Sequence, residues 1–427
     1  MSYAKYLAVA TVLLFWPAVV TAQHSTFDAP GLRTYVQQVL EDNKSLQARR
    51  STLGAARDRI DPAGALPDPT VSLGVMSLPV PSFDFRAEAM TQIGIGFAQT
   101  FPARGKRSAA TSVARADSSL AASRVVDREA QLGAAAAGAY YRLAFAQTAV
   151  ELWRGRAGLA GQAVVVTDAR YQSGAAPQTD VLRARLRRSR LSEELSDLEA
   201  EVIGAREAAR ALLGGEGEVP DGLLLVDGTG TPALDPVAFD VPVIDQGEPP
   251  LRNPSLRVAA AVVDRAERRA TLFEISGRPD FTTSLQTGIR FGGREPFFSA
   301  SIGIPLALWS GRKQTPLANA AIMDLTAAEE EYLDLSVLVT AEVRTRLAEL
   351  EASRLRAQQI AAESIPLATA AAASALQQYR VGAVEFTSVL ETQDELFRVQ
   401  LDLAQVVSRF GTRRAELAAL TGEEWYR

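Results

Sequence analysis

Shifted by 208 residues, the chain lies over itself without a gap: Tyr171, Gly174, Thr179, Val181, Leu182 and Gly214 fall on Tyr379, Gly382, Thr387, Val389, Leu390 and Gly422. Upstream the offset drifts by a few residues, yet Asn43 to Leu46 still meets Asn253 to Leu256, and Pro67-Asp68 meets Pro279-Asp280. Each unit is about 180 residues long and occurs twice. Solenoids and propellers repeat every 20 to 50 residues or about that. A two-fold repeat this long instead implies two similar half-structures side by side.

Each half contains a very long helical stretch. From Gly105 to Tyr171 and from Gly311 to Tyr379 helix formers dominate, with alanine runs at Gly133 to Ala139 and Ala370 to Ala375. At 1.5 Å per residue, such a segment reaches about 100 Å, far more than a globular domain needs. Gly174 and Gly382 suit left-handed helix ends. Thr179 with Asp180, and Thr387 with Ser388, suit the N-caps that restart the chain. The return helices, Thr179 to Leu213 and Thr387 to Leu420, space apolar residues in 4-3-4 steps: Leu191, Leu195, Leu198, Val202 and Val399, Leu403, Val406, Phe410. That is one coiled-coil seam per helix. Gly158 and its counterpart Pro366 are helix breakers, predicting a shared bend.

Before each long helix the texture changes to alternation: Thr70 to Ser77 and Gln92 to Thr100, then Phe281 to Ile289 and Phe298 to Ile304. These read as strands in two hairpins. Val71, Leu73 and Val75, or Ile93, Ile95 and Phe97, share one face, and Ser, Thr, Gly and Gln the other. An ordinary half-buried sheet has this pattern, and so do strands of the nine to eleven residues, approximately, that cross an outer membrane. Phe101, Phe291, Phe297 and Trp309 at the strand ends fit an interfacial girdle. Four strands cannot close a membrane barrel, and open edges are not tolerated in hydrocarbon. Spanning strands therefore require oligomerisation, and three copies supply twelve strands.

The N-terminus carries Lys5, an apolar run from Tyr6 to Val20, and small residues before Gln23, which is the pattern of a secretory signal peptide. The organisation expected is a signal peptide at 1–22 and a first repeat at 23–214, with strands near 70–77 and 92–100 and a helical hairpin at 105–213. A Gly/Pro/Asp-rich linker or equatorial segment at 215–250 separates it from a second repeat at 251–427, with strands near 281–289 and 298–306 and a hairpin at 311–420. The linker reads as a solvated segment.

With these features the chain resembles the TolC-like outer-membrane efflux proteins over essentially its whole mature length. The most specific stretches are Tyr171-Gln172-Ser173-Gly174 with Thr179 to Leu182, and Tyr379-Arg380-Val381-Gly382 with Thr387 to Leu390. The joint Gln99 to Lys106 is similar to the heavy-metal (cation) efflux branch. The resemblance implies a mainly α protein with a β-barrel part: duplicated helix, β-hairpin and long-helix hairpin repeats forming a trimeric twelve-stranded outer-membrane barrel, continued by a periplasmic α-helical coiled-coil tunnel. It also implies a homotrimer in outer-membrane lipid, a periplasmic adaptor (membrane fusion) protein, and an inner-membrane transporter of the resistance-nodulation-division type. The function implied is the passive exit duct of a tripartite efflux system. A periplasmic adaptor or a soluble coiled-coil scaffold remains the alternative, and detergent dependence separates them.

Site expectations follow from the same resemblance. Glu391, and Asp180 in the first repeat, are expected at the lumen constriction. Tyr171, Gly174, Ala176, Tyr379, Arg380, Gly382 and Val384 are expected at adaptor-contacting tips. Ser388 to Glu391 also spells a capping box, giving Glu391 a local role.

Enzyme chemistry has little to work with. There is one histidine, His24, and no cysteine, so neither a His/Cys metal site nor a Ser-His-Asp arrangement can be assembled within one chain. Gly105 to Ser108 lacks the spacing of a phosphate loop, and Met76, Met90 and Met323 are scattered. No cofactor and no catalysis are expected. A net charge of −5 gives no reason to expect nucleic acid.

Overall fold

The computed structural model describes residues 29–426 except 30, 81, 223, 227–238, 245–249, 251 and 307. The expected signal peptide and His24 lie outside the described residues. The first repeat runs α1 (Leu32–Asp42), α2 (Lys44–Asp58), α3 (Ile60–Gly64), β1 (Thr70–Met76), β2 (Gln92–Phe101), α4 (Lys106–Gln172) and α5 (Gln178–Leu212). The second runs α6 (Pro254–Ser276), β3 (Phe281–Arg290), β4 (Phe297–Gly303), α7 (Gln314–Gln359), α8 (Ile365–Arg380) and α9 (Phe386–Thr421).

The repeat has a visible structural cause at each unit's start. Asn43 caps α2 by accepting from the amides of Ser45 (3.0 Å) and Leu46 (3.3 Å), while its Nδ2 donates to the Leu212 carbonyl at 2.9 Å. Asn253 does the same for α6, accepting from Leu256 N at 2.7 Å and donating to the Leu420 carbonyl at 2.6 Å. One side chain thus fills an orphan donor at a helix start and an orphan acceptor at the end of the return helix. Cap loss at such sites costs about 1 kcal/mol.

The four strands form one antiparallel sheet in chain order, β1-β2-β3-β4. Val71 pairs with Phe97, Leu73 with Ile95 and Val75 with Ile93; Phe97 in turn faces Leu285, and Thr287 faces Phe298. The helices pack as an open layer. Next to the sheet the order is α2, α4, α6, α7; further away it is α5, α4, α9, then α7 and α8. No helix of the described residues is long and apolar enough to cross a membrane.

The main core sits between these levels. Leu32, Tyr35 and Val39 of α1, Leu143 and Ala144 of α4, and Leu403 and Val407 of α9 are buried there with Leu225, Val226 and Phe239 of the segment between repeats. Phe239 stacks on Phe410 at 4.2 Å. The described part of that segment forms no helix or strand beyond a single bridge at Val226, and its residues Leu225 and Phe239 lie over the α4–α9 face.

Three local expectations need correction. Gly158 lies inside an uninterrupted 67-residue α4, whereas Pro366 follows a π-helical segment, Ile360–Ser364, that separates α7 from α8. The breakers match in sequence but not in effect. Glycine keeps its N–H and costs a helix only about 1 kcal/mol, while proline removes a donor and its ring meets the carbonyl four residues back, which a wider turn relieves. The return helices also begin two residues early, with Pro177 and Glu385 at the N-cap in extended backbone and no side-chain cap. Thr179 and Thr387 are therefore within the first turn. Finally, Phe297 shares the face of Gly288 and Ser299, opposite to Phe298. A Cβ on Gly288 would come within 2.4 Å of its ring, so the missing side chain makes room for Phe297 on the polar face and takes it out of the girdle.

Candidate functional site

Two faces and one end of this fold carry its functional chemistry. Across the sheet, Val71, Leu73, Val75, Ile95, Phe97, Leu285, Ile289, Phe298 and Ile302 are all exposed in the single chain, and alternation with the observed register puts them on one surface. The opposite surface carries Ser72, Gly74, Gly94, Gly96, Gln286, Ser299 and Ser301. A contiguous apolar surface of nine exposed side chains is the kind that marks a membrane or protein interaction face. At the helix-proximal end Phe101 stacks on Phe281 at 5.1 Å, and Trp309 is exposed nearby; at the other end Phe291 meets Phe85 edge-on at 5.2 Å.

The joint from sheet to helices is fixed by Asp280. Its Oδ1 accepts from the Ala103 amide and from Lys106 Nζ, both at 2.8 Å. Burial works against ionising this carboxyl, but the Lys106 and Ala103 contacts outweigh it and hold its pKa below the usual range.

At the far end both hairpins turn alike. Gly174 and Gly382 have φ of 71° and 77°, and the amides of Ala175 and Ala383 reach back to the carbonyls of Arg170 (2.8 Å) and Gln378 (2.9 Å). This is the Schellman closure, in which a left-handed residue satisfies terminal carbonyls. Tyr171, Gly174, Arg380 and Gly382 are exposed, Ala176 and Val384 half-buried. Tyr379 is instead buried in a small core with Val164, Ala184, Phe386 and Val389, so its side chain supports the tip from within.

Arg170 holds Tyr379 there. Its guanidinium carbon lies 4.4 Å from the ring centroid, and its nitrogens donate to the carbonyls of Tyr379 and Ala175. The Tyr379 phenol is pushed up, first by burial; Arg170 opposes this and Asp180 adds to it. Asp180 is half-buried in the first turn of α5. Glu391, exposed on α9, makes no hydrogen bond or ion pair among the described residues. The capping box is absent because the helix starts at Phe386, which leaves Ser388 inside the first turn with its amide bonded to the Glu385 carbonyl at 3.1 Å.

One turn beyond Glu391, Asp394 accepts from both Arg156 of α4 and Arg187 of α5, with Arg156 also lying over the rings of Trp153 and Phe397. Neither this cluster nor Arg170 was singled out from the sequence. A signal existed in the repeat: the counterparts of Arg170 and Asp394 are Gln378 and Leu186, so the seam residues are where the two copies diverge. Among the described residues no group of His, Cys, Asp and Glu could hold a metal ion.

Comparison with known proteins agrees with this architecture. The sequence profile of the family "Outer membrane efflux protein" matches residues 35–215 and 250–423. The cobalt-zinc-cadmium resistance protein CzcC of Cupriavidus metallidurans is 24% identical over 361 residues, covering 84% of this chain and 82% of that protein. In fold, the outer-membrane channel OprN superposes with a TM-score of 0.78 at 21% identity, covering 94% of this chain and 92% of OprN. The outer membrane protein VceC of Vibrio cholerae gives 0.75 at 17% identity, covering 93% and 97%.

Proposed function

Because the chain belongs to the outer membrane efflux protein family, and is an outer-membrane channel serving as an efflux exit duct, we propose that three copies close its sheet into a twelve-stranded barrel. The observation that carries this is the pair of open edges. One side of the chain ends in β1, α2 and α5, the other in β4, α7 and α8. Both sides leave apolar side chains uncovered, Leu182, Leu186 and Ile203 on one and Val337, Leu355 and Leu367 on the other. Unlike edges of one chain meet head to tail and close a ring, and closure is what strand edges in lipid require. Light scattering of the detergent-purified protein should give three chains per particle; a monomer soluble without detergent would refute the barrel.

The exposed tip residues Tyr171, Gly174, Arg380 and Gly382, with Ala176 and Val384 beside them, are the surface for a periplasmic adaptor, which links the duct to an inner-membrane pump of the resistance-nodulation-division type. Single cysteines at Ala176 and Val384 should crosslink to the adaptor; crosslinks confined to the equatorial segment would remove tip-to-tip docking. Glu391, unpaired on α9, supplies one carboxylate per chain to the lumen constriction, and Asp180, at the corresponding end of α5, a second. In planar bilayers Glu391→Gln should weaken cation selectivity, and unchanged selectivity would release Glu391 from this role. On the likeness to the cobalt-zinc-cadmium resistance protein, the cargo is divalent metal cations passing without ligation. Restored zinc tolerance in cells lacking such a duct is the readout.

A further inference from the structure

The helical layer just beneath the sheet has one acidic edge and one basic edge. From Gln314 to Val343, α7 carries Asp324, Glu329, Glu330, Glu331, Asp334 and Glu342 and no basic residue. The first five are exposed, and none has a hydrogen bond or ion pair among the described residues. On the opposite edge, Lys44 to Gly64 holds five basic residues against Asp58 and Asp61. Arg50 is engaged with Glu129 at 2.9 Å; Arg49, Arg57 and Arg59 are exposed with no carboxylate partner.

Behind Arg59 opens a cavity of about 470 Å³, floored by alanines such as Ala56 and Ala114 and rimmed by Arg124 and Arg265. Its single acid, Asp117, stands 3.8 Å from Arg269. The Arg265 Nε is buried without an acceptor, and burial together with Arg269 and Arg124 lowers that guanidinium's pKa, with Asp117 opposing. Three arginines thus line a cavity that holds a single carboxylate of this chain.

The heights agree. At 1.5 Å per residue from the helix ends beneath the sheet, Asp324 lies about 15 Å down, Glu329 to Glu331 about 22 to 26 Å and Asp334 about 30 Å. On the other edge Arg59, Arg57 and Arg49 lie about 8, 10 and 22 Å down, with Arg265 and Arg124 at about 17 and 27 Å.

We propose that the acidic edge of α7 docks on the α2 edge of the next copy of this chain, with Glu329 to Glu331 level with Arg49 and Asp324 level with Arg265, and with Arg57 and Arg59 above them adding to the same basic field. This rests on the trimeric reading and adds what orders it. Apolar edges alone would slide, whereas fixed charges at matched heights set the register of one copy against the next and repel like edges. Glu330 and Glu331 stand four and three residues before Asp334, so these like charges are helix-face neighbours that repel one another with nothing in the chain to offset them.

Charge reversal in the full-length detergent-purified protein tests it. At about 0.1 M salt, where the Debye length is about 10 Å, Glu329→Lys, Glu330→Lys and Glu331→Lys together should lower the trimer fraction about tenfold or more, and Arg49→Glu, Arg57→Glu and Arg59→Glu should do likewise. Combining all six should restore it, and about 1 M salt, which shortens the screening length to about 3 Å, should blunt both losses. The absence of cysteine offers a second route that leaves the charges alone: Ser51→Cys with Ala327→Cys, both exposed and at similar depth, should give disulfide-linked trimers. A wild-type trimer indifferent to the reversals, a six-fold variant no better than the worse triple, or a cysteine pair that never crosslinks would overturn the pairing while leaving the trimer standing. A wild-type chain that is not trimeric would remove the underlying reading.

Discussion

The two return helices descend from one sequence pattern and sit in different surroundings. Helix α9 lies between α4 and α7–α8 and buries Phe397, Leu403, Val406, Val407, Phe410 and Leu417. Its counterpart α5 has α4 on one side only and buries Val181, Ala184, Leu191, Ala205 and Ala209. Chain order dictates this: with two hairpins in an open layer, the second return helix is interior and the first is an edge. The same contrast appears at single positions. Tyr379 is 3% exposed and its counterpart Tyr171 46%, so one tyrosine has found its neighbouring hairpin within the chain and the other meets one only in the proposed trimer. Near-symmetric sequence thus builds two kinds of seam, one charged and closed, one apolar and open.

The sharpest break of this comparison is at Gly411 and its counterpart Ile203. Gly411 lies against Tyr141, where a Cβ would stand 2.3 Å from the ring, while Ile203 is 64% exposed. Gly411→Ile forces a β-branched side chain into a filled interior and should cost about 3 kcal/mol or more. The reverse change, Ile203→Gly, should cost about 0.5 kcal/mol in helix propensity while the chain is unassembled. Denaturant midpoints of the two variants would measure the difference, and equal losses would deny that the seams differ.

Next in size is Asp394, whose counterpart is Leu186. Asp394→Leu removes the acceptor shared by Arg156 and Arg187 and leaves two guanidinium groups facing each other in a half-buried site, at a cost of about 2 kcal/mol for lost charge-assisted bonds. Leu186→Asp should be nearly neutral in the unassembled chain and harmful once copies meet. Thermal unfolding before and after dissociation of the assembly separates the two cases.

Much of this was open to reading. Alternation and the membrane length of the strands, the alanine-rich long helices and the tip glycines each have a local cause, and Gly174 and Gly382 lie where a left-handed turn was required. Residue faces along β1 and β2 followed from parity alone. What stayed hidden depends on partners distant in sequence. Phe297 is turned inward by Gly288 across a hairpin, Tyr379 is clamped by Arg170 more than 200 residues away, and the N-caps fell two residues early because Pro177 was already extended. Glu391 and Ser388 carried a capping signal that a different helix start left unused.

Arg170 tests the tip at a smaller scale. Its counterpart is Gln378, so Arg170→Gln makes the closed seam resemble the open one. Loss of the cation–π contact and of the bonds to the Tyr379 and Ala175 carbonyls should cost about 1 kcal/mol. Amide exchange from Val381 to Val389 should quicken, while Gln378→Ala leaves it unchanged. A tip that exchanges at the wild-type rate in Arg170→Gln would show that packing of Tyr379 on Phe386, at 5.4 Å, suffices without the arginine.

The smallest effect concerns the joints, where Asp280 and its counterpart Asp68 differ as the seams do. Asp280 holds Lys106 and the Ala103 amide within the chain, whereas Asp68 is exposed with no partner among the described residues. The counterparts of Lys106, Arg312 and Lys313, lie on the opposite edge at the start of α7, and in the proposed trimer they are supplied by the next copy. Because the Asp280 pKa is lowered on folding, its stabilisation is present above the unfolded value of about 3.9 and disappears as pH falls through the folded value. Asp280→Asn should therefore lose a few tenths of a kcal/mol to about 1 kcal/mol at neutral pH, typical of a partly exposed pair, and match wild type once acid has protonated both states. Asp68→Asn should leave the isolated chain untouched and acquire the same pH-dependent penalty in the trimer. A penalty for Asp68→Asn already present in the isolated chain would mean that the edge is not waiting for a neighbour.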